Sequence, residues 1–238
     1  TCSYDCVYCQ LGRTTAKTIE RKEYCPVDAV VNEVKEKLEK GSSPDYITLS
    51  GSGEPTLHSR IDDIISGIKE ISDVPVAVLT NGSLFWIDEV RDAVSGADLI
   101  IPSLDAGSEE TFLRVNRPES GILFKEMVEG LRVLRENFMG PLWLEVFITG
   151  GITDSDEEIV KIKDLTDYIA PARIQLNTAV RIPAEEYAGL VDIQKMEEIS
   201  TFFGPSCEVI ADYTKVHSLG EFSSTGEDVL ELLRLRPC

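Results

Sequence analysis

From residue 28 onward the chain alternates between two hydrophobic periods, and this alternation restricts the fold more than any other feature. Val30, Val31, Val34 and Leu38 share one face of a helix predicted over 28–40, with Glu33 and Lys37 paired on its wet side and Gly41 as its stop. A short buried strand is expected over 46–50. A helix over 61–71 then puts Ile61, Ile64, Ile65 and Ile68 on one stripe. Strands over 74–79, 99–103, 142–148, 173–176 and 208–211 alternate with helices around 87–94, 122–138, 156–169 and 192–203. Pro102 has no N–H to give a ladder, so pairing should fail at the third strand's end. Ser155 and Glu158 match a capping box. Short apolar strands between amphipathic helices mean an α/β fold with a parallel sheet covered by helices. An open doubly wound sheet and a barrel both satisfy the pattern, and both place active sites at the carboxyl ends of the strands.

The 238 residues suffice for one large domain, and no apolar run approaches the roughly 20 residues that span a bilayer. A net charge of −19 repels a phosphate backbone and opposes broad nucleic-acid binding. Only 13–22, with Arg13, Lys17, Arg21 and Lys22 against Glu20, is locally basic. That patch reads as a solvated loop, and RNA stays open as a partner through it alone. The chain starts at Thr1 and closes on Leu-Arg-Leu-Arg-Pro-Cys, so both ends read as cut. Gly and Ser cluster over 220–226, which suggests a core domain over 1–220. A linker and the start of a cut C-terminal helix are expected over 221–238.

Cys2, Cys6 and Cys9 crowd into a segment with neither helical nor strand period, while Cys25, Cys207 and Cys238 are scattered. A secreted disulfide framework spreads its cysteines, so a reducing, cytoplasmic setting is expected. A loop can converge three thiolates on one object, and such soft ligands select zinc, copper or an iron–sulfur cluster. A structural zinc site needs a fourth ligand. His58, His217, Cys25 and Cys207 are the candidates, and none shows paired spacing. A cubane held by three cysteines leaves one iron open to a small molecule.

The spacing Cys2-x-x-x-Cys6-x-x-Cys9, with Tyr8 directly before the last cysteine, resembles the signature of the radical S-adenosylmethionine (SAM) superfamily. The resemblance implies a partial (βα)6 TIM-type barrel, here lacking its first strand. It implies a 4Fe–4S cluster on Cys2, Cys6 and Cys9 whose open iron chelates SAM, with reductive cleavage to a 5′-deoxyadenosyl radical. Polar or glycine-rich positions recur at successive strand ends in the expected order. Ser50-Gly-Ser-Gly-Glu-Pro-Thr-Leu57 resembles the family's Gly-Gly-Glu-Pro segment, with Ser52 at its first glycine. There Gly53 would let the chain's backbone approach the cofactor and Glu54 would accept from its ammonium group. Thr80-Asn81-Gly82 would line the pocket. Ser103 and Asp105, on one side of an extended chain, would meet the ribose hydroxyls. Ile152, in Thr149-Gly-Gly-Ile, would touch the adenine, and Asn177 would face the same mouth. Taken alone, each has a plainer reading: Asn–Gly as a turn pair, Thr56 or Ser59 as a cap, Asp105 as an N-cap.

Tyr8-Cys-Gln-Leu-Gly-Arg-Thr-Thr15 and Asn116-Arg-Pro118 are similar to a group of archaeal and bacterial iron–sulfur oxidoreductases related to wyosine-tRNA synthases. The resemblance leaves the substrate and the catalytic residues undefined. It implies a reductase or a flavodoxin- or ferredoxin-type protein as electron donor. Arg114 and Arg117 are candidates for a substrate carboxylate or phosphate. Two other readings stand beside this one: an activase that abstracts hydrogen from a glycine of a partner protein, and a non-catalytic zinc-stapled binding module.

Overall fold

The computed structural model describes residues 1–215. The expected boundary at 220–226, the helix over 227–236, His217 and Cys238 lie outside the described residues. Six strands follow the chain: β1 (Ile47–Leu49), β2 (Val76–Thr80), β3 (Leu99–Pro102), β4 (Trp143–Ile148), β5 (Arg173–Thr178) and β6 (Cys207–Val209). They pair in parallel and in chain order, β1-β2-β3 and β4-β5-β6. Bridges Ile100↔Leu142 and Ser103↔Glu145 join the two ladders into one sheet. A doubly wound sheet reverses its order at a switch point. Here the order never reverses, which is the winding of a partial TIM-type barrel. The seam falls at β3, where Pro102 has no N–H to donate.

Among the described residues seven helices cover the sheet: α1 (Val27–Glu39), α2 (Ile61–Ile71), α3 (Asp88–Val94), α4 (Glu109–Val115), α5 (Phe124–Asn137), α6 (Asp156–Ile169) and α7 (Ile193–Phe203). The stripe Ile61, Ile64, Ile65 and Ile68 of α2 is buried as its period requires, each such side chain being worth about 1.5–3 kcal/mol of burial. Gly67 lets α1 close in, since a Cβ there would stand 2.8 Å from a Val31 methyl. α4 was not foreseen: its inward positions are only Phe112 and Val115, too few to show a period, and Ser108 caps it by accepting from Thr111 N–H at 3.3 Å. The capping box at α6 is half formed. Ser155 accepts from Glu158 N–H, but the Glu158 carboxylate accepts from Gly107 N–H at 2.7 Å and so ties α6 to the turn after β3.

In β4 and β5 the alternation sorts the chemistry. Leu144, Val146, Ile148, Ile174, Leu176 and Thr178 are buried on one face, while Glu145, Gln175 and Asn177 stand half-buried on the other. The register aligns Ser103, Glu145, Gln175 and Glu208 into one polar row across four strands. The row lies level with the carboxyl end of β3.

Candidate active site

The cysteine loop is pinned from several sides although it has no regular structure. Cys2 N–H donates to Ala16 O and Thr18 N–H to Cys2 O. Asp5 and Val7 N–H groups donate to Asn116 O and Val115 O, at 3.0 and 2.9 Å. Glu185, in the segment between β5 and α7, donates its N–H to Val7 O at 2.9 Å. The Asp5 carboxylate sits within the loop and accepts from Thr14 N–H at 2.8 Å, Arg13 at 2.9 Å and Arg117 at 3.4 Å. Burial pushes its pKa up, but these donors outweigh burial and hold it below the ordinary carboxylate value. Arg117 also donates to Glu185 at 2.7 Å and to the Tyr187 hydroxyl at 2.6 Å, from a backbone at φ 44°. Its guanidinium therefore joins the cysteine loop to the segment after β5. Arg114 is exposed on α4 and bonds to none of these groups. The basic stretch over 13–22 is committed in the same way: Lys17 donates to Arg117 O and Pro118 O, and Arg21 to Thr56 O.

The three thiols are half-buried. Asn81 Nδ2 lies 3.5 Å from Cys2 Sγ, and Asn116 Nδ2 lies 3.5 Å from Cys6 Sγ. Burial pushes both thiols above their ordinary pKa, and the charges of Glu54 at Cys2 and Asp105 at Cys6 push them further. Ionised, these sulfurs would add charge to a site already crowded with carboxylates, so the donor set suits a polycation that neutralises them together. Among the described residues no group of three or more Cys, His, Asp and Glu side chains draws together around a point where one ion would sit. A cubane instead takes each sulfur on a different iron. Among the described residues the zinc alternative finds no fourth ligand. His58 donates from Nε2 to Cys25 O at 2.8 Å and accepts from Arg60 N–H at Nδ1. Cys25 is exposed, and the Cys207 thiol is pushed to about 11 by burial.

The strand-end residues converge on this loop. A Cβ on Gly53 would stand 1.9 Å from Thr1 O, so only glycine fits where the turn after β1 presses on the start of the cysteine loop, and Glu54 N–H donates to the same oxygen at 3.2 Å. Glu54 is 6% exposed and takes hydrogen bonds from Thr56 N–H and hydroxyl, Thr80 hydroxyl and Asn81 N–H. A carboxylate has about four acceptor sites, so this one is filled by the chain itself. Thr80 also accepts from Gly82 N–H. Asp105 is 4% exposed and accepts three hydrogen bonds, from the Tyr8 hydroxyl at 2.5 Å, Asn116 at 2.7 Å and Phe147 N–H at 3.1 Å. The Tyr8 ring stacks on Phe147 at 3.9 Å between centroids. Tyr8 and Ile152 pack with Val7, Val115 and Ala188 into a small apolar cluster beside the cysteines. Ser103 and Asn177 remain half-buried on the face that carries Glu145, with Asn177 Nδ2 donating to Glu145 Oε1 at 2.9 Å.

Four contributors escaped the sequence reading. Asn116 was visible only as part of Asn-Arg-Pro, and Asp5 only as a filler between cysteines. Glu185 has no motif at all. Glu145 had a signal: it is the one charged residue in the apolar strand Trp143–Ile148. Burial pushes its carboxyl above the ordinary range and the Asp105 charge adds to this, partly offset by Asn177 and Ser103. No cation pairs with it among the described residues.

A family model described as the Radical SAM superfamily matches residues 1–166. The chain is 40% identical over its whole length to a protein named GTPase Obg from Brachyspira hyodysenteriae, of which it spans only 35%. It is 32% identical to the UPF0026 protein MJ1312 of Methanocaldococcus jannaschii, over 99% of this chain and 75% of that protein. Among solved structures, TYW1 with a lysine-pyruvate adduct bound superposes with a TM-score of 0.64 at 16% identity, over 85% of this chain and 69% of that one. Streptococcus suis SuiB bound to S-adenosylmethionine gives 0.66 at 14% identity, over 93% of this chain and 51% of that one. At such identities the superpositions show a shared fold.

Proposed function

The chain belongs to the radical SAM superfamily, and we propose that Cys2, Cys6 and Cys9 hold a 4Fe–4S cluster serving reductive cleavage of S-adenosylmethionine and hydrogen abstraction from a substrate. The bound cluster and cofactor supply a low-potential electron and a sulfonium leaving group, the source of a 5′-deoxyadenosyl radical. The observation that carries this reading is a set of three thiols fixed on one loop, against the Gly53–Glu54 turn, at the carboxyl ends of a partial TIM-type sheet.

The chain's own residues then divide the work. Gly51, Ser52 and Gly53 present unhindered backbone toward a ligand's ammonium group, while Glu54 holds that turn to Thr80 and Asn81 from behind. Asp105 acts in the same manner, orienting Tyr8 and Asn116 around the cysteine loop. Ser103 and Glu145 of the polar row, with Asn177 on the same face, are left to accept and donate hydrogen bonds to ribose hydroxyls or to substrate. Tyr8, Phe147 and Ile152 supply an apolar wall that excludes water from a reactive radical. A flavodoxin- or ferredoxin-type protein is the fitting electron donor. Net charge and the committed side chains of 13–22 oppose RNA as substrate.

The test is anaerobic reconstitution with iron and sulfide, followed by reduction with dithionite in the presence of SAM. We expect about four irons and four sulfides per chain and formation of 5′-deoxyadenosine. A protein that binds zinc in preference to iron, or that loads iron and forms no deoxyadenosine, contradicts the reading.

A further inference from the structure

The two sulfurs with neighbours of interest repeat one arrangement. Cys2 Sγ faces Asn81 Nδ2, and Asn81 N–H also donates to the Glu54 carboxylate. Cys6 Sγ faces Asn116 Nδ2, which also donates to the Asp105 carboxylate. Each of these cysteines thus has a side-chain amide donor and a neighbouring carboxylate, and in addition Cys2 takes a hydrogen bond from Tyr4 N–H and Cys6 one from the Tyr8 hydroxyl. Cys9 Sγ has no such donor among the described residues.

The orientation of the amides is fixed by their other bonds. Asn81 Oδ1 accepts from Ser83 N–H at 2.9 Å, which turns Nδ2 toward the cysteine side. One of its two hydrogens is directed to Ser3 Oγ at 2.9 Å, and Ser3 is itself fully buried and held by Ser83 Oγ at 2.6 Å. The second hydrogen is left for the sulfur. Asn116 is 2% exposed and anchored through Asp105, whose other oxygen contacts are Tyr8 and Phe147 N–H. Nothing in packing alone requires both amides to end on sulfur.

We infer that Asn81 and Asn116 tune the cluster's reduction potential. This rests on the cluster assignment above. Reduction adds one electron, taken from the low-potential donor, and places more negative charge on the sulfurs; no bond forms or breaks. An N–H directed at sulfur stabilises the reduced state and raises the potential, whereas a nearby carboxylate disfavours it and lowers the potential. The amides therefore offset Glu54 and Asp105, and keep the cluster reducible inside an acidic site.

The experiment is a redox titration, with mediators and electron paramagnetic resonance detection, of the reconstituted wild type and of Asn81→Leu and Ser3→Ala. Leucine keeps the shape of asparagine without its donor. Asn81→Leu should lower the one-electron reduction equilibrium constant roughly three- to tenfold, about 30–60 mV more negative. Ser3→Ala frees the amide without deleting it, and should shift the midpoint less in the same direction. Asn81→Leu that loads a cluster with an unchanged or higher midpoint overturns the inference. If Asn81→Leu loads no cluster, Ser3→Ala decides, and an unshifted midpoint there overturns it equally. A wild type that loads no cluster overturns the cluster assignment itself, and is told apart from the other outcomes by its iron content.

Discussion

The turns after β1, β2 and β3 and the open face of β4 and β5 are both rich in polar groups, yet they use them differently. Around Glu54, Thr80 and Asp105 the oxygens bond chiefly to donors within the chain. On β4, Glu145 is flanked by Ser103 and Asn177, has no cationic partner among the described residues, and remains partly accessible. Residues in recognisable motifs hold the frame, and a residue in no motif stands half-buried on the open face. A buried carboxylate with four donors is a hub, because removing it strands every donor at once. A carboxylate held by two neutral groups and crowded by Asp105 is strained until something positive or hydrogen-donating arrives.

Removing a hub should do the greatest damage. Glu54→Ala leaves the Thr56, Thr80 and Asn81 donors unpaired, and we expect a loss of about 3 kcal/mol or more in denaturant unfolding, with poor cluster loading. A variant as stable as wild type would show that these donors find other partners. Asp105→Ala strands Tyr8, Asn116 and Phe147 N–H and should cost about 2–4 kcal/mol. Slackening of the Tyr8–Phe147 stack would be seen as increased tyrosine quenching by acrylamide.

On the open face the sign reverses. Glu145→Gln removes a buried charge and should stabilise the cluster-free protein by about 0.5–1 kcal/mol at pH 8. The folded-state pKa of Glu145 is raised, so its ionisation costs stability above that pKa and nothing once both states are protonated. The advantage of the variant should therefore shrink as pH falls toward 4. The same change should weaken SAM binding by about tenfold, near 1.4 kcal/mol, measured by equilibrium dialysis. A variant destabilised at pH 8, with intact affinity, would place Glu145 among the hubs. The smallest effect is expected at the solvated pair Glu33–Lys37 on α1, where Lys37→Ala should change stability by less than about 0.5 kcal/mol.

Much of this division was legible in the sequence. Every element longer than seven residues announced itself through period, and α2 and α6 fell on their expected bounds because Ile stripes and a Ser155 cap leave little freedom. Periodicity alone did not give the sequential strand order, since pairing depends on side chains far apart in the chain; the resemblance implied a partial barrel, and the observed order agrees with it. Spacing and resemblance singled out the three cysteines, Glu54, Thr80, Asn81 and Asp105, and the fold brings them to one end of the sheet. Spacing could not say that Glu54 and Asp105 point into the chain, because a carboxylate looks the same whether its donors are protein or ligand. The bonds of Arg117 were illegible for the related reason that its acceptors, Asp5 and Glu185, are 112 and 68 residues away.

The most direct test of the central claim is electron paramagnetic resonance of the anaerobically reconstituted, dithionite-reduced protein, recorded with and without SAM. The account predicts a signal of about one 4Fe–4S cluster per chain whose g-values shift when SAM is added, as an iron left open by three cysteine ligands requires. A cluster signal indifferent to SAM, or no cluster signal at all, would contradict it.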